Sequence, residues 1–333
     1  VRVNIDVLTD QEFAELPLVI KGESKEVRYA GNGQVVIRFL PTIYSFTANR
    51  CGVVPGSEVL RLRASKIFLE VLRKAGIKHA YQEVNDRFVL ATLVLPHTAE
   101  FAKYNTPVFV PSDLSEREID ALPKAPPIEV IVKWYHGGTS KHEYIGMCGA
   151  EVRANHPLYA GMLIEAEGAY PAPIIRFDWR NPLNQPGRGK RTVEQILTAD
   201  MLALISKDSE AGKLTSLISE RLEAFADRTA DKPLPEDIAD LFIDVKRARA
   251  TVLHLRNTLQ NFLAERDIIC NDLCLFVADD GETVYGEISQ DCGRYRHFDL
   301  GSLDKDVWRT GGSSEMVLAK WQILLDCIGG TNP

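Results

Sequence analysis

An apolar run broken only by Asn271 and Asp272 spans residues 268–277 and ends at Asp279-Asp280-Gly281-Glu282. A second short run follows at 283–288. Two apolar segments joined by an Asp-Gly turn predict an antiparallel hairpin. A polar segment comes next, carrying Glu287, Ser289, Gln290, Asp291, Cys292 and Arg294. Carboxylates and a guanidinium just beyond a strand end suit either a cleft or a solvated loop. Residues 268–309 thus demand a sheet and offer chemistry at its edge, and the rest of the chain is read around them.

Earlier segments have the same character. Residues 18–39 alternate apolar runs with Gly22-Glu23-Ser24-Lys25 and Ala30-Gly31-Asn32-Gly33, which predicts strands with glycine turns. The first turn reads as a phosphate-covering loop or as a solvated one. Residues 64–75 carry helical periodicity ended by Gly76, and 77–81 and 87–95 read as strands. A proline-bearing connection at 96–127 marks a boundary between an N-terminal lobe, 1–125, and a C-terminal lobe, 126–333.

Strand 128–132 leads into Lys133-Trp134-Tyr135-His136-Gly137-Gly138-Thr139-Ser140-Lys141-His142. Glycines and hydroxyls between lysines make an anion cradle, because backbone N–H and O–H groups donate while the ammonium groups neutralise. His136 and His142 have no recognised metal spacing and read as hydrogen-bonding or solvent-facing groups. Residues 185–191, QPGRGKR, form a basic loop, read as solvated rather than phosphate-reaching. Helices are expected at 192–206, 214–225 and, as one long element, 235–267, and a last one at 315–327 capped by Ser314. Residues 207–231 suit a dimer contact or a core-facing helix equally, so a homo-oligomer stays open.

Composition narrows the class. A chain of 333 residues with 45% hydrophobic and 26% charged residues is an ordinary globular protein. Its net charge of −7 argues against a general nucleic-acid surface. The absence of a long apolar run argues against a membrane partner, and the polar N-terminal stretch gives no secretory reading. Six scattered cysteines suggest reduced thiols, so the expected location is cytoplasmic. Cys270 and Cys274, four apart in a strand, are expected on one face as core thiols rather than zinc ligands.

With these residues in view, the chain resembles the SAICAR synthetase family, ATP-dependent ligases of purine biosynthesis. The family pattern V-D-F-K-L-E-F-G, a hairpin, D-E-x-S-P-D-x-x-R and D-K-x-x-x-R is similar to Cys270–Phe276, Gly286–Arg294 and Asp304–Arg309 here. The resemblance implies an α/β (α+β) fold of two lobes, an antiparallel sheet in each, and a cleft between them. It implies a small-molecule nucleotide as partner. The family's V-R-N-x-A-A-G-S phosphate loop matches Lys133, Gly138 and Thr139, with Arg294 completing the ribotide phosphate site. Ser289 and Asp178 are implied as further substrate contacts, and Gly22 and Lys25 as nucleotide contacts. Glu287 and Asp291 are the candidate acid–base groups, with structural hydrogen bonding as the competing role for either.

Departures concentrate on the nucleotide half. The family's G-K-A-K is Gly22-Glu23-Ser24-Lys25, so the first lysine is reversed to Glu23. In the alignment above, the lysine and glutamate of K-L-E fall on Leu273 and Leu275, and the aspartate of D-E on Gly286. Thr42, Thr47 and Ser57 replace two aspartates and a lysine of a further segment, and Asn181-Pro182 stands for Asp-Pro. Phosphoryl transfer relies on such charges. ATP and Mg are implied by the family, yet their usual ligands are replaced, so the cofactor is left unassigned. Homologues in gene clusters for pentostatin- and coformycin-type nucleoside antibiotics suggest a diverged enzyme with reduced or absent ligation. The alternatives are a conventional ligase with Asp272, Asp279 or Asp280 compensating at the metal, and a non-catalytic nucleotide-binding homologue.

Overall fold

The computed structural model describes residues 3–45, 50–97, 106–135, 169–179, 184–185, 189–190 and 236–329. Short helix α1 (Asp10–Glu15) is fixed by a capping box, in which Thr9 and Glu12 bond each other's backbone. Strands β1 (Leu18–Lys21), β2 (Lys25–Gly31) and β3 (Gln34–Phe39) follow as a meander. The β2–β3 turn passes Gly31, Asn32 and Gly33 at positive φ, where a side chain without local hydrogen bonding would be strained. Hairpin β4 (Thr42–Ser45) and β5 (Arg50–Val53) precedes helix α2 (Ser57–Lys74). Strands β6 (Tyr81–Val84) and β7 (Phe88–Thr92) complete an antiparallel sheet of order β1-β2-β3-β7-β6.

After the short helix α3 (Glu116–Asp120) comes the second sheet. It contains β8 (Ile128–Tyr135), β9 (Ala169–Trp179), β12 (Ile268–Val277), β13 (Val284–Tyr285), β14 (Gly293–His297) and β15 (Gly301–Ser302). Its order is β15-β14-β12-β8-β9, with β13 also paired to β12. Every paired strand in it is antiparallel. Two-residue strands β10 (Asn184–Gln185) and β11 (Gly189–Lys190) pair separately. Helices α4 (Glu236–Ala239), α5 (Val245–Ala264), α6 (Asp306–Arg309) and α7 (Ser314–Gly329) complete the described elements. No helix among the described residues is long and apolar enough to cross a membrane.

Helix α2 lies between two cores. Leu62 and Leu69 join Val19, Ile37, Phe39 and Val89 of the first sheet. Leu60, Ala64, Phe68 and Leu72 join β8 and β12 together with Leu255, Leu259 and Leu263 of α5 and Trp321 and Leu324 of α7. Burying one such side chain stabilises by roughly 1.5–3 kcal/mol. Ser57, Arg61 and Ser65, spaced by one turn, put a buried polar stripe on the same helix.

Several expectations are corrected. The helix expected at 64–75 begins at Ser57, directly after Gly56 at positive φ. The strand expected at 77–81 lies at 81–84, because Gly76 and a turn intervene. The single helix expected at 235–267 is broken. Asp244 leaves the helix, caps Arg247 N through its side chain and donates its own N–H to Asp279 O. Ser313, rather than Ser314, accepts from the backbone at the start of α7. Cys270 and Cys274 do not share a face: a register shift between Cys270 and Asp272 against β14 inserts Asn271 as an extra residue. Upstream of that bulge Ile268 and Cys270 are buried, and downstream Leu273, Leu275 and Val277 are.

Candidate functional site

Alternation sorts the second sheet into an apolar and a polar face. Ile128, Val130, Val132 and Trp134 of β8 enter the core with the helices. Glu129, Ile131 and Lys133 therefore point to the opposite face. Ile174, Arg176 and Asp178 of β9 share that face, as do Asp272, Cys274 and Phe276 of β12 past the bulge. Register aligns these residues in rows. Lys133 stands opposite Ile174 and Asp272, and Asp272 opposite Arg294. In the next row Ile131 stands between Arg176 and Cys274. In the third, Glu129 is opposite Asp178, and Phe276 is opposite Tyr285.

The first row is charged and buried. Lys133 is 2% exposed and Asp272 6%. Arg294 donates to Asp272, and its Nε lies 3.6 Å from Asp306. Arg309 pairs with Asp306 and lies 3.6 Å from Asp304. Burial lowers the Lys133 ammonium to about 8, with Arg176 and Arg294 pushing the same way and Asp272 opposing. For Arg294 the loss of water is outweighed by Asp272, Asp306 and Asp304, which hold it firmly charged. Asp304 accepts from Tyr295 N at 2.9 Å and from Asp306 N at 2.6 Å, and burial beside Asp306 raises its carboxyl to about 7. In β9, Arg176 Nη2 donates to Asp178 at 2.6 Å. The Cys274 thiol donates to Glu129 at 3.3 Å, and burial and that carboxylate keep it protonated.

A second charged group gathers on the segment between β13 and β14. Arg61 of α2, completely buried, grips Glu287 through Nε and Nη2 and donates from Nη1 to Leu40 O. Lys25 Nζ lies 3.5 Å from the same carboxylate. Both cations stand over the Phe39 ring, at 4.9 Å for Lys25 and 4.8 Å for Arg61. Lys305 Nζ bonds Asp291 at 3.1 Å and Tyr44 O at 3.3 Å. Burial would raise Asp291, but Lys305 and Arg61 outweigh it and keep its carboxyl below the usual range.

The singled-out residues thus fall into two sets. Lys133, Arg294 and Asp178 share the sheet face, and Lys25, Glu287 and Asp291 share the second cluster. Ser289 is wholly buried and accepts from Asp291 N at 3.1 Å, so it holds the segment's shape. Gly22 N–H is committed to Lys25 O at 2.9 Å within the β1–β2 turn. Gly138 and Thr139, with His136 and His142, lie outside the described residues. Leu273 and Leu275, expected where the family's nucleotide charges stand, face the apolar core, being 0% and 1% exposed. Sequence reading missed Arg61, Glu129 and Arg176, and gave Lys305 only as the lysine of the D-K-x-x-x-R match, without a role. Glu129 and Arg176 carried a signal in their alternation with core residues in IEVIVKW and IIRFDW, and Arg61 in its interruption of an apolar helical stripe.

No protein-family model matches the chain. A curated relative from Cordyceps militaris, "Bifunctional cordycepin biosynthesis cluster protein 3", is 27% identical over 331 residues. That match covers 92% of this chain and 33% of the relative, so the chain spans about a third of the relative's length. Among solved structures, a SAICAR synthetase in complex with ADP superposes with a TM-score of 0.57 at 18% identity, covering 95% of this chain and 99% of that one. The SAICAR synthase from Saccharomyces cerevisiae complexed with SAICAR gives 0.54 at 13% identity, covering 96% of each. Mixed α/β layers with antiparallel sheets, matched over nearly the whole chain, are the SAICAR synthetase-like fold, and the chain is a distant homologue of the cordycepin-cluster protein.

Proposed function

We propose that the chain is a diverged SAICAR synthetase-like enzyme that binds a phosphoribosylated imidazole or purine-type nucleotide. It acts in specialised nucleoside biosynthesis of the pentostatin or coformycin type, with ATP-driven ligation reduced or lost. The observation that carries the reading is the row Lys133, Asp272, Arg294, which sets two cations at the strand end from which the Gly138–Thr139 segment departs. A phosphate there gains an ammonium and a guanidinium held in place by carboxylates. The relationship to a cordycepin-cluster protein supports the pathway class.

The nucleotide half supports the loss of ligation. Shifted by one residue, so that its charged positions stay on the polar face, the family pattern puts its aspartate on Asp272, its lysine on Cys274 and its glutamate on Phe276. A thiol and a phenyl ring cannot neutralise a transferring phosphoryl group. Gly286 supplies no carboxylate, and no group of three or more potential ligands among the described residues could hold a metal. These residues do not fit Mg-ATP.

Calorimetric titration of the full chain with an aminoimidazole ribotide and, separately, with Mg-ATP tests the reading. Saturable ribotide binding that Lys133→Ala abolishes, with no heat from Mg-ATP, is the expected pair of results. Micromolar Mg-ATP binding with aspartate-dependent ADP release would establish the conventional ligase instead.

Glu287 and Asp291 are the proton-transfer carboxylates in this reading. Their ion pairs with Arg61 and Lys305 favour a second one, in which they brace the segment between β13 and β14. Asp291→Asn and, in an Arg61→Met background where the pair is already broken, Glu287→Gln separate the two: loss of turnover without a further fall in melting temperature supports chemistry, whereas loss of both supports bracing.

A further inference from the structure

The first sheet carries charge on the face turned away from α2. Val27, Ile37 and Phe39 pack toward α2, so Glu26, Arg28 and Arg38, which alternate with them, face the side covered by α1. Register sets Lys21, Glu26, Arg38 and Phe88 in one row across β1, β2, β3 and β7. Glu26 is 2% exposed and sits among three cations, with Arg28 Nε at 2.6 Å, Arg38 Nη2 at 2.8 Å and Lys21 Nζ at 3.6 Å. Burial alone would raise its carboxyl, but Arg38 and Arg28 outweigh it and hold it below the usual carboxylate range. Lys25, one residue earlier, turns to the opposite face and reaches Glu287, so this group is separate from the two described above.

One carboxylate does not balance three cations. Both guanidiniums are held against the Phe13 ring, Arg38 at 4.6 Å and Arg28 at 5.5 Å, so their charges stay together. The acids of α1 are engaged elsewhere: Asp10 pairs with Arg87, Glu12 caps the helix and Glu15 accepts from Gln11. Arg28 also donates to Ala14 O and Leu16 O, at 2.8 and 2.6 Å. Arg38 keeps more in reserve. Among the described residues it bonds through Nη2 alone, and its Nε–H is buried without a partner. Lys21 lies beyond hydrogen-bond length from Glu26, with its side chain 56% exposed. Lys21 and Arg38 converge on the same oxygen, Glu26 Oε2, so their nitrogens are close enough for one tetrahedral anion to touch both.

We propose that Lys21, Arg38 and Arg28 form a second anion site, on the outer face of the first sheet, which takes a dianionic phosphate group. Two negative charges offset the surplus that Glu26 leaves. The phosphate bridges Lys21 Nζ and the free edge of Arg38, while Arg28 adds its charge from the other side of Glu26. Inorganic phosphate and the phosphate ester of a sugar or nucleotide share this chemistry. The site goes beyond the ribotide reading and does not depend on it.

Calorimetric titration of the full chain with inorganic phosphate and with ribose 5-phosphate, at ionic strength matched with sodium chloride, tests it. Lys133→Ala takes the candidate ribotide site out of the measurement. In that background phosphate is expected to bind saturably. Adding Lys21→Ala, a change at an exposed side chain, should weaken it about tenfold or more, the scale of one hydrogen bond to a charged group. Arg38→Gln should weaken it as well. Hydrogen exchange should slow at α1 and β1 when phosphate is added, and stay unchanged along β8 and β12. Tighter binding of ribose 5-phosphate would name an ester as the ligand, and tighter binding of inorganic phosphate the free ion; either order supports the site. Lys21→Ala in the otherwise unaltered chain should keep its ribotide affinity. No saturable binding in the Lys133→Ala chain, or binding that Lys21→Ala leaves unchanged, would overturn the outer site and leave the ribotide reading as it stands.

Discussion

Arg61 and Glu287 stand 226 residues apart in the chain and meet as a two-pronged ion pair, Nη2 at 2.8 Å and Nε at 3.0 Å from the carboxylate oxygens. Neither side chain has appreciable contact with solvent, so neither charge retains water as an alternative partner. The pair ties the helix between the two cores to the segment that carries the candidate carboxylates.

Removing Arg61 takes both prongs from Glu287 and leaves it the longer Lys25 contact at 3.5 Å. Arg61→Met should cost about 3–5 kcal/mol, the usual effect of breaking a buried pair. Arg61→Met combined with Glu287→Leu should recover much of that loss, since no charge then remains at the two buried positions and Lys25, which loses that carboxylate, is partly exposed to water. Urea denaturation of the two variants checks this, and a double variant no more stable than Arg61→Met would show that the pair is not coupled.

Lys133 makes phosphate binding depend on pH. Its lowered value of about 8 means the ammonium is present below that pH and is lost as pH rises through it. Ribotide affinity should therefore fall between about pH 7 and pH 9.5, while Lys133→Arg should hold its affinity across the window because guanidinium titrates far higher. Titration calorimetry over the range decides it; parallel curves for the two proteins would remove Lys133 from the phosphate site.

Asp304 acts on stability in the opposite direction to an ordinary salt-bridged carboxylate. Its folded value of about 7 lies above the ordinary 3.8, so the unfolded chain loses its proton first. Stability contributed by the protonated form is complete below about pH 4 and disappears as pH rises to about 7, a change of a few kcal/mol. Asp304→Asn, which resembles the protonated acid, should remove this part of the pH dependence. Thermal melts at stepped pH measure it, and an unchanged profile would mean another group titrates there.

Restoring the family's acid at position 286 should fail. Gly286 has φ of +98°, and a Cβ there would meet the Phe276 ring at 2.8 Å. The left-handed backbone alone costs about 1–2 kcal/mol for a side chain, and the overlap adds about 1–3 kcal/mol. Gly286→Asp should thus lower the melting temperature and give no Mg-ATP binding, whereas Gly286→Asp with Phe276→Ala should recover part of the stability. A stable single variant that binds Mg-ATP would refute this.

Much of the fold was legible because strands and turns announce themselves locally. The hairpin after residue 268 was placed by its Asp-Gly turn, and β8 by IEVIV. The polar face was present in the same letters, in Glu129 and Lys133 alternating with Ile128, Val130 and Val132, but an apolar run draws the eye to burial alone. The core position of Leu273 could not be read, since the bulge at Asn271 depends on how β14 pairs with β12. Nor could Arg61: its partner lies at the far end of the chain, and no local pattern joins positions 61 and 287.

The extra residue in β12 gives one strand two opposite phases. Before Asn271 even-numbered positions belong to the core, and after it odd-numbered ones do. Losing that single residue would leave the two phases in step, since with Asn271 gone Ile268, Cys270, Leu273, Leu275 and Val277 fall on one side by plain alternation. Straightening the bulge with Asn271 kept would do the reverse: it would turn Leu273, Leu275 and Val277 outward and drive Cys274 and Phe276 into the core without a single substitution. Which letters of β12 become binding surface is therefore decided by its pairing with β14, at one residue that opposes nothing.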